Sequence, residues 1–91
     1  MPKSEIEVDQ LRASIANQMR IQRVIRRWSQ DDLARHSGMG RSTVLRLERE
    51  KIDMNTNHLQ ALAAAFEMPW IKFLELVNAD SVSPTTGRIR T

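Results

Sequence analysis

The chain contains no cysteine, which excludes disulfides and thiolate chemistry and, in so small a domain, points to a reducing compartment. It also lacks any apolar run near the length of a membrane span. Its opening, MPKSEIEVDQ, mixes charges where a signal peptide needs an apolar stretch. A cytoplasmic protein is expected. Three glycines in the whole sequence supply no glycine-rich phosphate loop, and no strand is evident to precede one. The two histidines, His36 and His58, stand apart with no second ligand at metal-binding spacing, so no metal site is expected. Asp31 and Asp32 are adjacent and point in different directions, which suits a helix N-terminus better than paired acid–base chemistry. No constellation of nucleophile, base and oxyanion donor remains. The chain is expected to be no enzyme and to need no cofactor.

What is present fits one small domain. Ninety-one residues, 41% of them hydrophobic, hold a single modest core. The net charge of +3 hides an asymmetry. Between Arg12 and Lys51 stand ten basic residues and four acidic ones, a local +6, against −3 for the remainder. A basic segment of this kind is the electrostatic footprint of a phosphate-backbone binder, although a plain solvated surface of arginines has the same composition.

The most informative stretch is SQDDLARHSGMGRSTVLRLE, from Ser29 to Glu48. Ser29 is placed to cap a helix with Asp32 at its third position, and Trp28 and Leu33 can staple that cap. Gly38 stands where a chain leaving a helix needs positive φ. Met39 can fill the corner, and Gly40 lets a second helix begin at Arg41. Val44 and Leu47 give this second helix a buried stripe, leaving Arg41, Ser42, Thr43, Leu45, Arg46 and Arg49 around the rest. Two short helices joined through a glycine turn make a helix-turn-helix.

Those residues resemble the DNA-binding heads of Cro-like and lambda-repressor-like proteins, the XRE family. The pattern S-Q-x-x-L-A-x-x-x-G-x-x-x-S-T-V-x-x-x-E is carried by Ser29, Gln30, Leu33, Ala34, Gly38, Ser42, Thr43, Val44 and Glu48. Ile15 and Met19 before it, and Leu59, Leu62, Ala63, Ala65 and Phe66 after it, fit without gaps, so the resemblance runs from about Ser14 to Val77. It implies an all-α, five-helix lambda-repressor-like DNA-binding domain. The chain departs from the pattern at three helix ends, where Arg27, Glu50 and Glu67 replace glycine. A longer final turn is expected in at least one of them, because a non-glycine residue at positive φ costs on the order of 1 kcal/mol. Gly40 stands in place of a capping Ser or Thr, and Gln22 in place of an apolar residue.

The remaining elements follow from capping and periodicity. Ser4 with Glu7, then Val8, Leu11, Ile15 and Met19 on one face, extend the first helix ahead of the family's usual start. Its longest version, Glu5 to Arg27, would span roughly 35 Å. Asn55 can cap a fourth helix to about Phe66. Pro69 opens a fifth, with Trp70, Phe73, Leu74 and Val77 at i, i+3, i+4, i+7. The expected organisation is an N-terminal arm or helix extension over 1–13, the DNA-binding domain over 14–78 with its motif at 29–49, and a polar, proline-broken tail over 79–91 expected to be disordered.

In this fold the second motif helix enters the major groove with its N-terminal residues at base edges. Arg41, Ser42, Thr43 and Arg46 then become base-contacting candidates, the two arginines as readers of guanine. Arg46 could instead pair with Glu50 on its own helix, and Ser42 could bond only to backbone. The resemblance implies phosphate contact for Gln30, while Arg49, Lys51 and Asn55 surround the loop that follows. Arg20, Arg26, Arg27 and Arg35 are further phosphate candidates. It also implies a partly buried ion pair between Arg23 and Glu48, with a free Arg23 facing DNA as the competing reading.

The expected function is a sequence-specific double-stranded DNA-binding transcriptional regulator, a repressor acting as a homodimer on a palindromic operator. Val8, Leu11, Ile21, Ile25, Trp70, Phe73, Leu74 and Val77 are the candidates for the dimer contact. The rival is an antitoxin or adaptor whose main role is binding a protein partner such as a toxin, since fold does not settle function.

Overall fold

The described residues form five helices, α1 (Glu5–Ile25), α2 (Gln30–Ser37), α3 (Arg41–Glu48), α4 (Thr56–Ala65) and α5 (Trp70–Val82), and side-chain capping starts two of them, α2 and α4. The structure, a computed structural model, describes residues 5–82, and the side chains of residues 9–80. Residues 1–4 and 83–91 lie outside it, as do the Val8 side chain and most of the expected tail. Ser29 closes a complete capping box on α2: its Oγ accepts from the Asp32 N–H at 3.0 Å, and Asp32 Oδ2 accepts from the Ser29 N–H at 2.9 Å. Asn55 does the same for α4, its Oδ1 accepting from the His58 N–H at 2.8 Å while its own N–H donates to His58 Nδ1. Between α2 and α3 the chain turns at Gly38, φ 76°, and Gly40 begins α3 with no side-chain cap.

α1 packs along α5 and α3, α2 lies against α3 and α4, and α4 rests on α5. Ile15, Met19, Leu33, Ala34, Val44, Leu47, Leu62, Ala65, Phe66, Phe73 and Val77 form one buried cluster at their centre. Trp28 and Met39 close over it from the two turns. Trp28 stacks on His36 with ring centroids 4.0 Å apart, which fastens the α1–α2 turn to the outside of α2.

The expected rebuilding of a helix end does not occur. Arg27, Glu50 and Glu67 all take the left-handed conformation, at φ 59°, 62° and 58°. Each sits in the same hydrogen-bond pattern. The Trp28 N–H reaches the Arg23 carbonyl while the Arg27 N–H reaches Val24. Lys51 and Glu50 bond to Arg46 and Leu47, and Met68 and Glu67 to Ala63 and Ala64, in the same way. These are three Schellman motifs with a side chain where glycine is usual. Pairing the carbonyls left over at each helix end offsets the local strain.

Three further expectations need correction. α5 continues to Val82, so 79–82 are helical and any tail starts later. A hydrogen bond from Asn17 Nδ2 to Asp80 Oδ2 at 2.8 Å ties that last turn to α1. Phe73 and Val77 cannot form a dimer surface, because both are buried in the core between α5 and α1. Finally, α1 ends at Ile25, since the Schellman turn consumes Arg26 and Arg27.

Candidate nucleic-acid interface

Glu48 ends α3 facing inward, with only 3% of its side chain exposed. A buried carboxylate needs partners, and α1 and α2 supply them. Arg23 grips it with a bidentate fork, Nε to Oε2 at 2.9 Å and one terminal nitrogen to Oε1 at 3.2 Å. Its other terminal nitrogen donates to the Trp28 carbonyl. Gln30 Nε2 donates to Glu48 Oε1 at 3.0 Å, and Arg20 donates to the Glu48 backbone carbonyl. The junction locks the rotation of α3 against α1 and the start of α2. Arg23 is therefore committed to the fold rather than free to face DNA.

With Glu48 inward, Arg46 falls on the opposite side of α3 and is exposed, as are Ser42 and Arg49 on the flanks and Arg41 at the first position of the helix. Lys51 just beyond is exposed too, while Thr43 is half-buried. Among the described residues Arg46, Arg49 and Lys51 have no ion-pair partner. Arg46 does not pair with Glu50, because α3 stops at Glu48 and Glu50 has already left the helical path at φ 62°. Arg41 carries an ion pair to Asp31 at the start of α2, 2.7 Å from Nε to Oδ1. Gln30, the first residue of α2, is half-buried, and its bond to Glu48 uses one of its two amide hydrogens. Asn55 is exposed, with its carbonyl oxygen spent on the α4 cap and its amide nitrogen available.

The other cations suggested for phosphate contact are otherwise engaged, Arg27 excepted. Arg20 is held by Glu48, and Arg35 pairs with Asp32. Arg26 donates to the Gln22 carbonyl and side-chain oxygen, both at 2.9 Å, and to the Phe66 carbonyl at 2.7 Å. Its guanidinium also lies over the Phe66 ring, 5.0 Å from the centroid. Arg26 thus caps the end of α4 from the turn that closes α1.

Sequence reading missed this clamp. It also missed the buried Gln18, whose amide meets that of Gln22 at 3.5 Å; Gln22 itself, noted as standing in place of an apolar residue, is buried. Ser14, Gln18 and Gln22 recur at i+4 along α1 and Arg26 continues the spacing into the turn that closes it, a polar row that could have been read as a second inward stripe. A further missed contact is Arg12 Nε to Asp53 Oδ1 at 2.7 Å, which ties the extended start of α1 to the loop after α3. That contact holds the Asp53 carboxyl below, and the Arg12 guanidinium above, their ordinary pKa values.

The comparisons with known proteins agree with this geometry. A family model described as a Cro/C1-type helix-turn-helix DNA-binding domain matches residues 17–77. A protein of Neisseria meningitidis serogroup B named as a hypothetical transcription factor is 35% identical over 65 residues, which is 71% of this chain and 61% of that protein. The chain therefore spans less than two thirds of that relative. Among solved structures, a Neisseria hypothetical transcription factor superposes with a TM-score of 0.66 at 32% identity, covering 81% of this chain and 85% of the other. A wild-type restriction-modification controller protein superposes with a TM-score of 0.74 over 82% of this chain and 96% of its own, and its 19% identity speaks to the fold alone. A buried Glu48 that turns a cationic helix outward, on a five-helix frame matched by the model from α1 into α5, places the chain in the Cro/C1-type helix-turn-helix DNA-binding family.

Proposed function

We propose that this protein is a sequence-specific regulator of transcription that binds double-stranded DNA as a homodimer on a palindromic operator and represses by occupying it. The observation that carries this reading is the outer face of α3, where Arg41, Ser42 and Arg46 stand exposed while Glu48 is anchored inside. Arg41 and Arg46 supply guanidinium forks for guanine O6 and N7, and Ser42 and Thr43 supply short hydroxyls at the helix start. Gln30, Arg49, Lys51 and Asn55 are the residues that contact phosphates in this reading. A single head reads few base pairs, so two heads on half-sites about one helical turn apart supply specificity.

The dimer contact has a source in apolar side chains that the core does not use. Leu11, Ile21, Val24 and Ile25 on α1 and Trp70 and Ile71 on α5 are all exposed, with Ile25 67% and Trp70 52% accessible. Of these, Val24 and Ile71 were not anticipated from sequence. The cytoplasm is the compartment in which such a protein meets DNA in a cell without a nucleus.

In vitro selection of bound DNA, with light scattering of the free and bound protein, tests the proposal. A palindromic consensus bound by two chains is expected. Selection that enriches no sequence would overturn base reading. A monomer both free and on a palindromic site would overturn the dimer.

A further inference from the structure

Asp31 is an anion on an edge otherwise arranged to meet phosphates. Its neighbour Asp32 is spent in the capping box of α2, but Asp31 takes no part in that cap. Its Oδ1 lies 2.7 Å from Nε of Arg41, the first residue of α3, so the pair bridges the two helices of the motif. Both side chains are well exposed, 66% for Asp31 and 65% for Arg41, and an ion pair so placed adds little to stability. A carboxylate here also repels the DNA backbone. The place of Asp31 in the first turn of α2 gives the fold a modest gain from the helix N-terminus, a gain that does not require Asp31 to reach Arg41.

The effect of Asp31 on Arg41 lies in where the carboxylate sits. The closest approach of Asp31 to Arg41 is an ion pair at Nε, and among the described residues neither terminal nitrogen of Arg41 has a hydrogen-bond partner. An arginine whose counter-charge lies at Nε keeps its two terminal nitrogens as a fork, the arrangement that donates to guanine O6 and N7 together. The carboxylate also competes with phosphates for the same guanidinium, so Arg41 is less able to settle on the backbone of any sequence. We propose that Asp31 is a positioning residue: it holds Arg41 for end-on recognition of a guanine and trades general affinity for base discrimination. This inference rests on the reading of α3 as the recognition helix.

The test uses the full chain on its selected site, on single base-pair variants of that site and on scrambled DNA. Arg41→Ala first identifies the base pair whose preference depends on Arg41. Asp31→Asn is then expected to lower preference at that same pair by about tenfold, while scrambled DNA is bound as tightly as before or more tightly. The double variant is expected to lose no more preference than Arg41→Ala alone. Asp31→Glu, which keeps the charge, is expected to restore part of the preference that Asp31→Asn loses, a rescue that a fault in folding would not give. If Asp31→Asn tightens all DNAs alike with preference unchanged, Asp31 is only a repelling charge and the proposal fails. If preference rises instead, Asp31 withholds Arg41 from DNA and the proposal fails with the opposite sign. If Arg41→Ala leaves every base preference intact, Arg41 reads no base, and the reading beneath the proposal falls at that step, before Asp31 is touched.

Discussion

Two sides of α3 use the same residue type to opposite ends. On the inner side, Arg20 and Arg23 reach across from α1 and spend their donors on Glu48 and the turn carbonyls. On the outer side, Arg46 and Arg49 are exposed and have no ion-pair partner among the described residues. The difference is burial. An inward guanidinium is desolvated and must be matched bond for bond, whereas an outward one stays hydrated until a polyanion replaces its counterions. Charge count alone therefore overstates the DNA-binding surface. Of the ten cations from Arg12 to Lys51, Arg12, Arg20, Arg23, Arg26, Arg35 and Arg41 have partners within the chain.

The comparison breaks most visibly at Arg23. Arg23→Ala strands a carboxylate that is 3% exposed, and the expected loss of stability is about 3 kcal/mol, the low end for removing one partner of a buried pair. Thermal and denaturant melts measure it. A variant that melts like the parent but binds every DNA more weakly would move Arg23 to the outer class.

The outer side separates into reading and holding. Arg46→Ala is expected to weaken the best site by about 1–3 kcal/mol and to relax one base pair in each half-site, with little change on random DNA and none in the melt. Lys51→Ala is expected to weaken specific and random DNA alike and to lower the salt slope by about 1. Titrations of both variants at several salt concentrations distinguish them. Equal behaviour of the two would mean that α3 holds DNA without reading it.

The sequence made the motif and all five helices legible because each boundary is written in local chemistry: Ser29 and Asn55 as caps, Gly38 as the left-handed turn, Pro69 before α5. Contacts between distant segments were not legible, because side-chain donors carry no label for direction. Arg26 looked like a phosphate cation and instead caps Phe66. Phe73 and Val77 share a periodic face with Trp70 and Leu74, and only packing against α1 decides which part of that stripe is covered. The Arg23–Glu48 geometry is an intermediate case, since its spacing was implied by the family pattern and not by any local rule.

A smaller effect is expected at the left-handed helix ends, in the opposite direction. Glu67→Gly removes a side chain from φ 58° and should raise stability by about 0.5–1 kcal/mol. Glu50→Gly should do the same at φ 62° and, by deleting an anion between Arg49 and Lys51, should also tighten binding to any DNA. A Glu67→Gly variant that tightened DNA binding as much as Glu50→Gly would sever the link between nearness to α3 and electrostatic effect.

The smallest effect concerns Asp32, which neighbours the outer face yet belongs to the fold. The Ser29 backbone N–H, followed by Arg35 and the Ser29 hydroxyl, holds the Asp32 carboxyl below its ordinary pKa. A carboxyl whose folded pKa is depressed binds protons more readily in the unfolded chain, so its contribution is fully present above the unfolded value and fades as pH falls through the folded one. The relevant window lies below about pH 4. Parent and Asp32→Asn differ in the titration of this one group, so the gap between their melting temperatures isolates it from every other carboxylate. The parent should melt higher at neutral pH, and the gap should close on acidification toward pH 2–3, with no loss of base preference at neutral pH. A gap that stays constant across that range would show that the cap depends on the shape of the side chain and not on its charge.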